Sequence, residues 1–141
     1  MKKSLIILLS LLSFGCVKSE MPLTNSEGIL RGLKELKSQP KFGPSNETLY
    51  PGAPNEIIRV RAETAINALI DSFIQAKAED LSKSYVLEKF AISSGPFHKM
   101  DSEEMDRALT YMEEIMDIYG IESSDGMLNK IRYGFNPAGQ H

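Results

Sequence analysis

DSEEMDRALTYMEEIMDIYGIESSDGMLNKIRYGFNP, residues 101–137, decides the fold. Met105, Ala108, Leu109, Met112, Ile115, Met116 and Tyr119 recur at three- and four-residue steps, which makes one face of a long helix apolar. Asp101, with Glu104 three residues on, forms a capping-box-like start, the Glu favouring the positive end of the helix dipole. Glu103 and Arg107 are spaced to pair on the wet face. Gly120 is placed to close the helix in the left-handed conformation, with Ile121 covering its end. Ser123 or Ser124 then caps a second, short helix that has Asp125 in its first turn and Met127, Leu128 and Ile131 facing inward. Gly134 closes that helix, and Phe135 and Pro137 leave it.

Upstream, the same periodicity gives three more helices. Asn25 or Ser26 caps the first, which runs to about Ser38 with Ile29, Leu30, Leu33 and Leu36 on one face. Gly28 and Gly32 each weaken it by ~1 kcal/mol relative to Ala, so it needs packing to persist. Residues 39–54 hold four prolines and two glycines spread too densely for a regular element. Phe42, Leu49 and Tyr50 are expected to pin this long loop to the core. Asn55 caps a second helix to about Lys77, the expected centre of the bundle, with Ile58, Ala62, Ala65, Ile66, Leu69, Ile70, Phe73 and Ile74 as its stripe. Arg59 and Glu63 are four apart on its wet side. Asp80 or Ser82 starts a third helix to about Ile92, stopped by Ser93, Ser94, Gly95 and Pro96. No alternating run is long enough for a sheet. The expected fold is all-α: a single small bundle of four main helices plus a short C-terminal helix, spanning residues 25–141.

Residues 1–15 read as a secretory signal: Lys2 and Lys3, then an apolar run from Leu5 to Leu12 broken by Ser10, then small residues. The run is too short to cross a bilayer, which needs about 20 residues. LSFGC resembles a bacterial lipobox, with Ser13 where Leu is usual. That resemblance implies acylation of Cys16, the only cysteine, with residues 16–24 as a lipidated tether. No internal disulfide can form, and an acylated Cys16 leaves no thiol for catalysis. Val17 rather than Asp after the cysteine favours the outer membrane, with the domain facing the periplasm. Without Lys2 and Lys3 the chain has 14 basic and 19 acidic residues, about −5, which argues against nucleic acid as a partner.

The wording of the C-terminal stretch is itself informative. YMEEIMDIYGIESSDGMLNKIRYGFNP, Tyr111 to Pro137, resembles the C-terminal segment of the domain of unknown function 4844 family. Those proteins share the pattern Y-x-E-E-I-M-D-I-x-G-I-E-S-S-D-G-x-L-N-x-x-x-Y-G-F-x-P. PKF from Pro40 to Phe42 and YPG from Tyr50 to Gly52 fit the same resemblance, which covers roughly residues 25–137. It implies a small helical domain, and it brings no activity and no catalytic residues.

The residues offer little chemistry of their own. Glu113, Glu114, Asp117, Glu122 and Asp125 are close in sequence, but Glu113 and Asp117 share a helix face while Glu114 lies about 100° round. A solvated face and a capped corner account for them better than a cation site. Ser123 and Ser124 lack a nearby base and a G-x-S-x-G turn, so they read as caps. His98 and His141 are the only histidines, and no phosphate-binding glycine loop occurs. No metal site, no cofactor and no catalytic residue is expected. Tyr133 and Phe135 either dock on the bundle or face a partner, and Met105, Met112, Met116 and Met127 read as core.

These features favour a lipid-anchored, non-enzymatic envelope protein that binds another protein, such as an envelope protein or a secreted toxin, in an immunity, inhibitory or accessory role. Glu122, Ser123, Ser124, Asp125, Tyr133 and Phe135 are the candidate partner-facing residues. The alternatives are a carboxylate-dependent envelope hydrolase and a structural envelope protein with no specific ligand.

Overall fold

The computed structural model describes residues 22–135. Residues 1–15, Cys16 with most of its tether, Pro137 and His141 lie outside them. Five α-helices account for the described fold: α1 (Glu27–Ser38), α2 (Glu56–Ile74), α3 (Lys83–Ser93), α4 (Ser102–Tyr119) and α5 (Met127–Tyr133). A 3-10 helix, Gly95–Lys99, links α3 to α4, where the sequence predicted only a lead-in. Among the described residues there is no strand, only an isolated antiparallel bridge between Ser45 and Tyr50. The fold is all-α.

Ser26, not Asn25, caps α1, accepting from the Ile29 N–H at 3.4 Å. Asn25 has a longer reach. Its amide donates to the Phe73 carbonyl near the end of α2 (2.8 Å), and its oxygen accepts from the Tyr119 hydroxyl at the end of α4 (2.8 Å). One side chain thus fastens the start of α1 to two other helix ends. Just before it, the Leu23 N–H donates to the Leu81 carbonyl, and Leu23 packs on the core. Leu23, inside the segment read as tether, is therefore already part of the domain.

Asn55 caps α2 and Ser82 caps α3, accepting from Ile58 and Tyr85 respectively. α2 ends at Ile74, three residues short of the predicted Lys77. No glycine or proline stops it there. The Phe73 carbonyl is instead shared by the Asn25 amide and the Ala76 N–H, which turns the chain.

α2 and α4 together form the centre. α1 packs on both, α3 packs on α2, and α5 packs on α4 and α3. The buried stripe of α2 is Ala62, Ile66, Leu69, Ile70 and Phe73; that of α4 includes Met105, Ala108, Met112, Ile115 and Met116. Burying each of the larger side chains contributes ~1.5–3 kcal/mol. α1 crosses α4 at Gly32, where an added Cβ would stand 3.3 Å from Ile118. The glycine that weakens α1 as an isolated helix is what lets it approach.

Two aromatic clusters complete the core. Phe73 meets Tyr85, Phe90 and Tyr119 edge-on at 6.3, 6.0 and 6.0 Å between ring centroids. Phe42 meets Tyr50 and Tyr111 edge-on and stacks on Phe97 of the 3-10 helix at 5.9 Å. Such pairs add roughly 0.5–1.5 kcal/mol each beyond burial. Phe42 and Tyr50 thus pin the long loop as predicted, but Leu49 does not: it is 88% exposed.

Gly120 closes α4 with φ 70°, and the Ile121 N–H reaches back to the Met116 carbonyl at 2.8 Å, with Ile121 itself buried. That is the Schellman closure the sequence predicted. The start of α5 differs from expectation. Gly126 takes the cap position with φ 82°, while Ser124 Oγ makes only a long contact, 3.4 Å, with the Leu128 N–H.

Candidate functional site

The long loop and α4 are joined by buried polar groups, and the candidate site is built there. Lys41 is 1% exposed. Its ammonium donates to the carbonyls of Leu36 (2.6 Å), Gln39 (2.9 Å) and Lys37 (3.1 Å), closing the C-terminus of α1 where the helix dipole favours a cation. Burial pulls its pKa below the ordinary value, against the opposite pull of Glu63 and Glu114. The backbone of the same residue is held by α2: its N–H donates to Glu63 (2.8 Å) and its carbonyl accepts from Arg59 (3.4 Å). The predicted Arg59–Glu63 pair forms at 2.9 Å, and its role is to seat this loop rather than only to decorate a wet face.

On α4, Glu104, read from the sequence as the capping-box partner of Asp101, is 1% exposed. The Tyr50 hydroxyl donates to its Oε1 at 2.9 Å, while Oε2 is buried with no hydrogen-bond partner. Burial, and then the bond to Glu104, push the Tyr50 hydroxyl well above its ordinary pKa. Asp101 makes no side-chain cap bond, so the predicted capping box is not formed. Arg107 does not pair with Glu103. Its guanidinium lies 4.6 Å from the Tyr111 ring centre, and its Nε donates to the Tyr111 hydroxyl, which in turn meets the Phe42 N–H. Burial raises the pKa of Glu114 on the neighbouring face, opposed by Arg107 and Lys41.

Two shallow grooves run along the outside of α4. One, of about 190 Å³, lies between loop residues 48–51 and Glu103, Asp106, Arg107 and Thr110. The other, about 240 Å³, lies between Asp106, Thr110 and Glu113 of α4 and Leu128, Arg132 and Tyr133 of α5. Asp106 and Thr110 line both, so the two form one continuous face. Arg132 forms an ion pair with Asp106 across it, Nη2 donating to Oδ2 at 3.0 Å, and stands 5.4 Å from the Tyr133 ring centre. At one end of the face stands Leu49, at φ 53°, a backbone conformation that costs a non-glycine residue roughly 1–2 kcal/mol. At the other end Tyr133 and Phe135 are about half exposed, their rings 6.3 Å apart. They do not dock on the bundle.

The residues predicted to face a partner therefore separate into two groups. Glu122 and Ser123 are exposed, and Ser124 is half-buried. Asp125 is held by Lys83 of α3 at 2.6 Å. This corner precedes α5, whereas Tyr133 ends that helix and Phe135 follows it, roughly 10 Å away along a seven-residue helix. The corner lines neither groove. Among the described residues no group of three or more His, Cys, Asp or Glu side chains is arranged to hold a metal. His98 lies 3.5 Å from Ser94 Oγ, but that serine is buried and donates to the Ala91 carbonyl, as a helix-end hydroxyl does.

A sequence model of the DUF4844 family, a domain of unknown function, matches residues 23–136. The chain belongs to the DUF4844 family. Its fold is similar to the crystal structure of a DUF3571 family protein from Acinetobacter baumannii, with a TM-score of 0.64 and 30% sequence identity over 75% of this chain and 89% of that one. No curated protein matches the chain. The DUF4844 match begins at Leu23, a residue bonded to the core, and it includes Lys41, Tyr50, Glu104 and both ends of the α4 face. No helix of the described residues is long and apolar enough to cross a membrane.

Proposed function

We propose that this DUF4844 protein is a lipid-anchored protein of the bacterial envelope, held through Cys16, that works by binding a protein partner along the outer face of α4 rather than by catalysis. The observation that carries the reading is Leu49. A leucine held 88% exposed in a left-handed conformation contributes nothing to the core, yet the loop on both sides of it is tightly fastened. Tyr133 and Phe135 stand at the far end and Arg107 and Arg132 lie between, and exposed aromatic residues and arginines are the residue types enriched at protein interfaces. The excess of acidic residues fits a basic partner, approached by electrostatic attraction.

The test is capture from envelope extract with the chain from Val17 onward, which holds the whole core cluster, Leu33 to Ile131. Leu49→Ser combined with Tyr133→Ser is expected to lose the captured protein while unfolding at the same urea concentration or higher. Retention of the same protein by this variant would refute the face. Anchoring is tested separately: labelled palmitate is expected in the full chain and absent from Cys16→Ser.

A further inference from the structure

Around the corner from the grooves, on the same loop, lies a third depression of about 430 Å³. It is lined by residues 51–54, Asp101, Glu103 and Glu104. Three carboxyl groups at a helix start can be no more than a solvated turn, and Asp101 and Glu103 are indeed exposed. Glu104 is different. It is buried, Tyr50 occupies one of its oxygens, and the other has no partner. A carboxyl group offers about four acceptor positions, and leaving a buried one unmade costs free energy unless something arrives to use it. No ammonium or guanidinium of the described chain is within ion-pair distance of Glu104. The nearest candidate in sequence, Arg107, is committed to Tyr111.

We propose that this depression receives a lysine or arginine side chain of the protein partner, whose charged head pairs with Glu104 Oε2. Pro51, Ala53 and Pro54 offer an apolar wall to the methylene stem, as long basic side chains favour. Asp101 and Glu103 at the mouth draw the charge in. Gly52 keeps the wall in shape: at φ 91° it lies so close to Pro44 that an added Cβ would stand 3.1 Å away. The hydroxyl of Tyr50 orients the Glu104 carboxyl, so Tyr50 is a positioning residue. This inference rests on the reading of the protein as a protein binder, and adds which chemistry the partner presents.

The experiment uses small probes and needs no partner. The ¹⁵N-labelled chain from Val17 onward is titrated with N-acetyl-lysine methylamide and N-acetyl-arginine methylamide, with N-acetyl-norleucine methylamide as the uncharged control. Saturable shifts of the Gly52, Ala53, Glu103 and Glu104 amides are expected with at least one cation, and at least tenfold weaker binding of norleucine. Glu104→Gln should weaken the cation at least tenfold. Asp101→Asn with Glu103→Gln, which removes only the exposed charges at the mouth, should weaken it less than Glu104→Gln does. Tyr50→Phe, which keeps the carboxyl group but removes the hydroxyl that orients it, should weaken the cation by less than Glu104→Gln does. The proposal is overturned if neither cation gives saturable shifts, if norleucine binds as well, if Glu104→Gln has no effect, or if calcium ions shift the same amides at lower concentration. Because the wild-type comparison with norleucine stands by itself, a variant that fails to fold does not rescue the idea. Cation binding in a protein whose Leu49 and Tyr133 variant still captures its partner would sink the α4 face and leave this pocket standing; the reverse result would do the opposite.

Discussion

Replacing Lys41 by Met tests how the long loop is held. The substitution keeps the length and most of the packing of the side chain, and removes the ammonium. Three carbonyls then lose a charged donor at 2.6, 2.9 and 3.1 Å. The Lys37 and Gln39 contacts are only partly buried, so water can replace the donor there. The Leu36 contact is buried, and its carbonyl keeps only the long bond from the Gln39 N–H at 3.4 Å, a loss of roughly 1–3 kcal/mol. The C-terminus of α1 also loses a cation worth about 0.3–1 kcal/mol. Against these stands relief from burying a charge, which in other proteins makes apolar replacement of a buried ion neutral or even stabilising. Burial already pulls the Lys41 pKa down, so this relief is real, but the three fixed carbonyl dipoles remain behind and it offsets only part of the loss. The expected net loss is about 2 kcal/mol, or a fall in Tm of about 8 °C at roughly 4 °C per kcal/mol for a domain of this size. Urea unfolding followed by far-UV circular dichroism reads it, with an unchanged slope showing that the unfolded state is the same. A variant as stable as the wild type would refute the carbonyl cage as the fastening of the loop. Lys41→Arg is the companion: a larger, forked head in a site fitted to an ammonium should recover less than half of the loss.

Other expectations follow from single contacts. Tyr119→Phe removes the hydroxyl donated to Asn25 and should cost ~1 kcal/mol; paired with Asn25→Ala in a double-mutant cycle it should show coupling of ~0.5–1.5 kcal/mol, and additivity would mean the two side chains act independently. Gly120→Ala meets no neighbouring atom, so its expected cost of roughly 1–2 kcal/mol is purely that of φ 70°; a neutral result in thermal unfolding would contradict this account of the α4 terminus. Burial raises the Tyr119 hydroxyl from its ordinary 10.0 to about 12, and Tyr50 is raised as well. A raised acid holds its proton longer in the native state, so this stability is complete below pH 10 and is lost as pH climbs through about 12. The urea midpoint should therefore drop between those values, and the Tyr50→Phe, Tyr119→Phe double variant should drop less steeply.

What could be read directly was what depends on local spacing. The Met and Ile stripe of α4, the stop at Gly120 and the caps at Asn55 and Ser82 need only neighbours three or four residues away. What could not be read depends on partners distant in sequence. Glu104 and Tyr50 are 54 residues apart, and nothing local says that a first-turn glutamate is buried. There was one signal: Glu104 is in helical phase with Ala108, Tyr111 and Ile115, so it sits on the apolar stripe. Lys41 carried a weaker one, a charge flanked by Pro40 and Phe42 in a loop that had to dock. Leu49 misled for the opposite reason. In a segment without periodicity an apolar residue was assigned to the core by composition alone, whereas a left-handed backbone turns it to solvent. The end of α2 was misjudged because Gln75, Ala76 and Lys77 are good helix formers, and the chain turns there for a carbonyl claimed by Asn25.

The clamp at the start of α1 has a mechanical consequence. Among the described residues, tension from the N-terminal side is met first at Leu23, bonded to Leu81, and then at Asn25, bonded to the ends of α2 and α4. The load is divided among three parts of the bundle before it reaches the first turn of α1. Pulling from this end should therefore meet a force threshold set by the clamp, with α1 giving way only after it opens, instead of a gradual peeling of one helix.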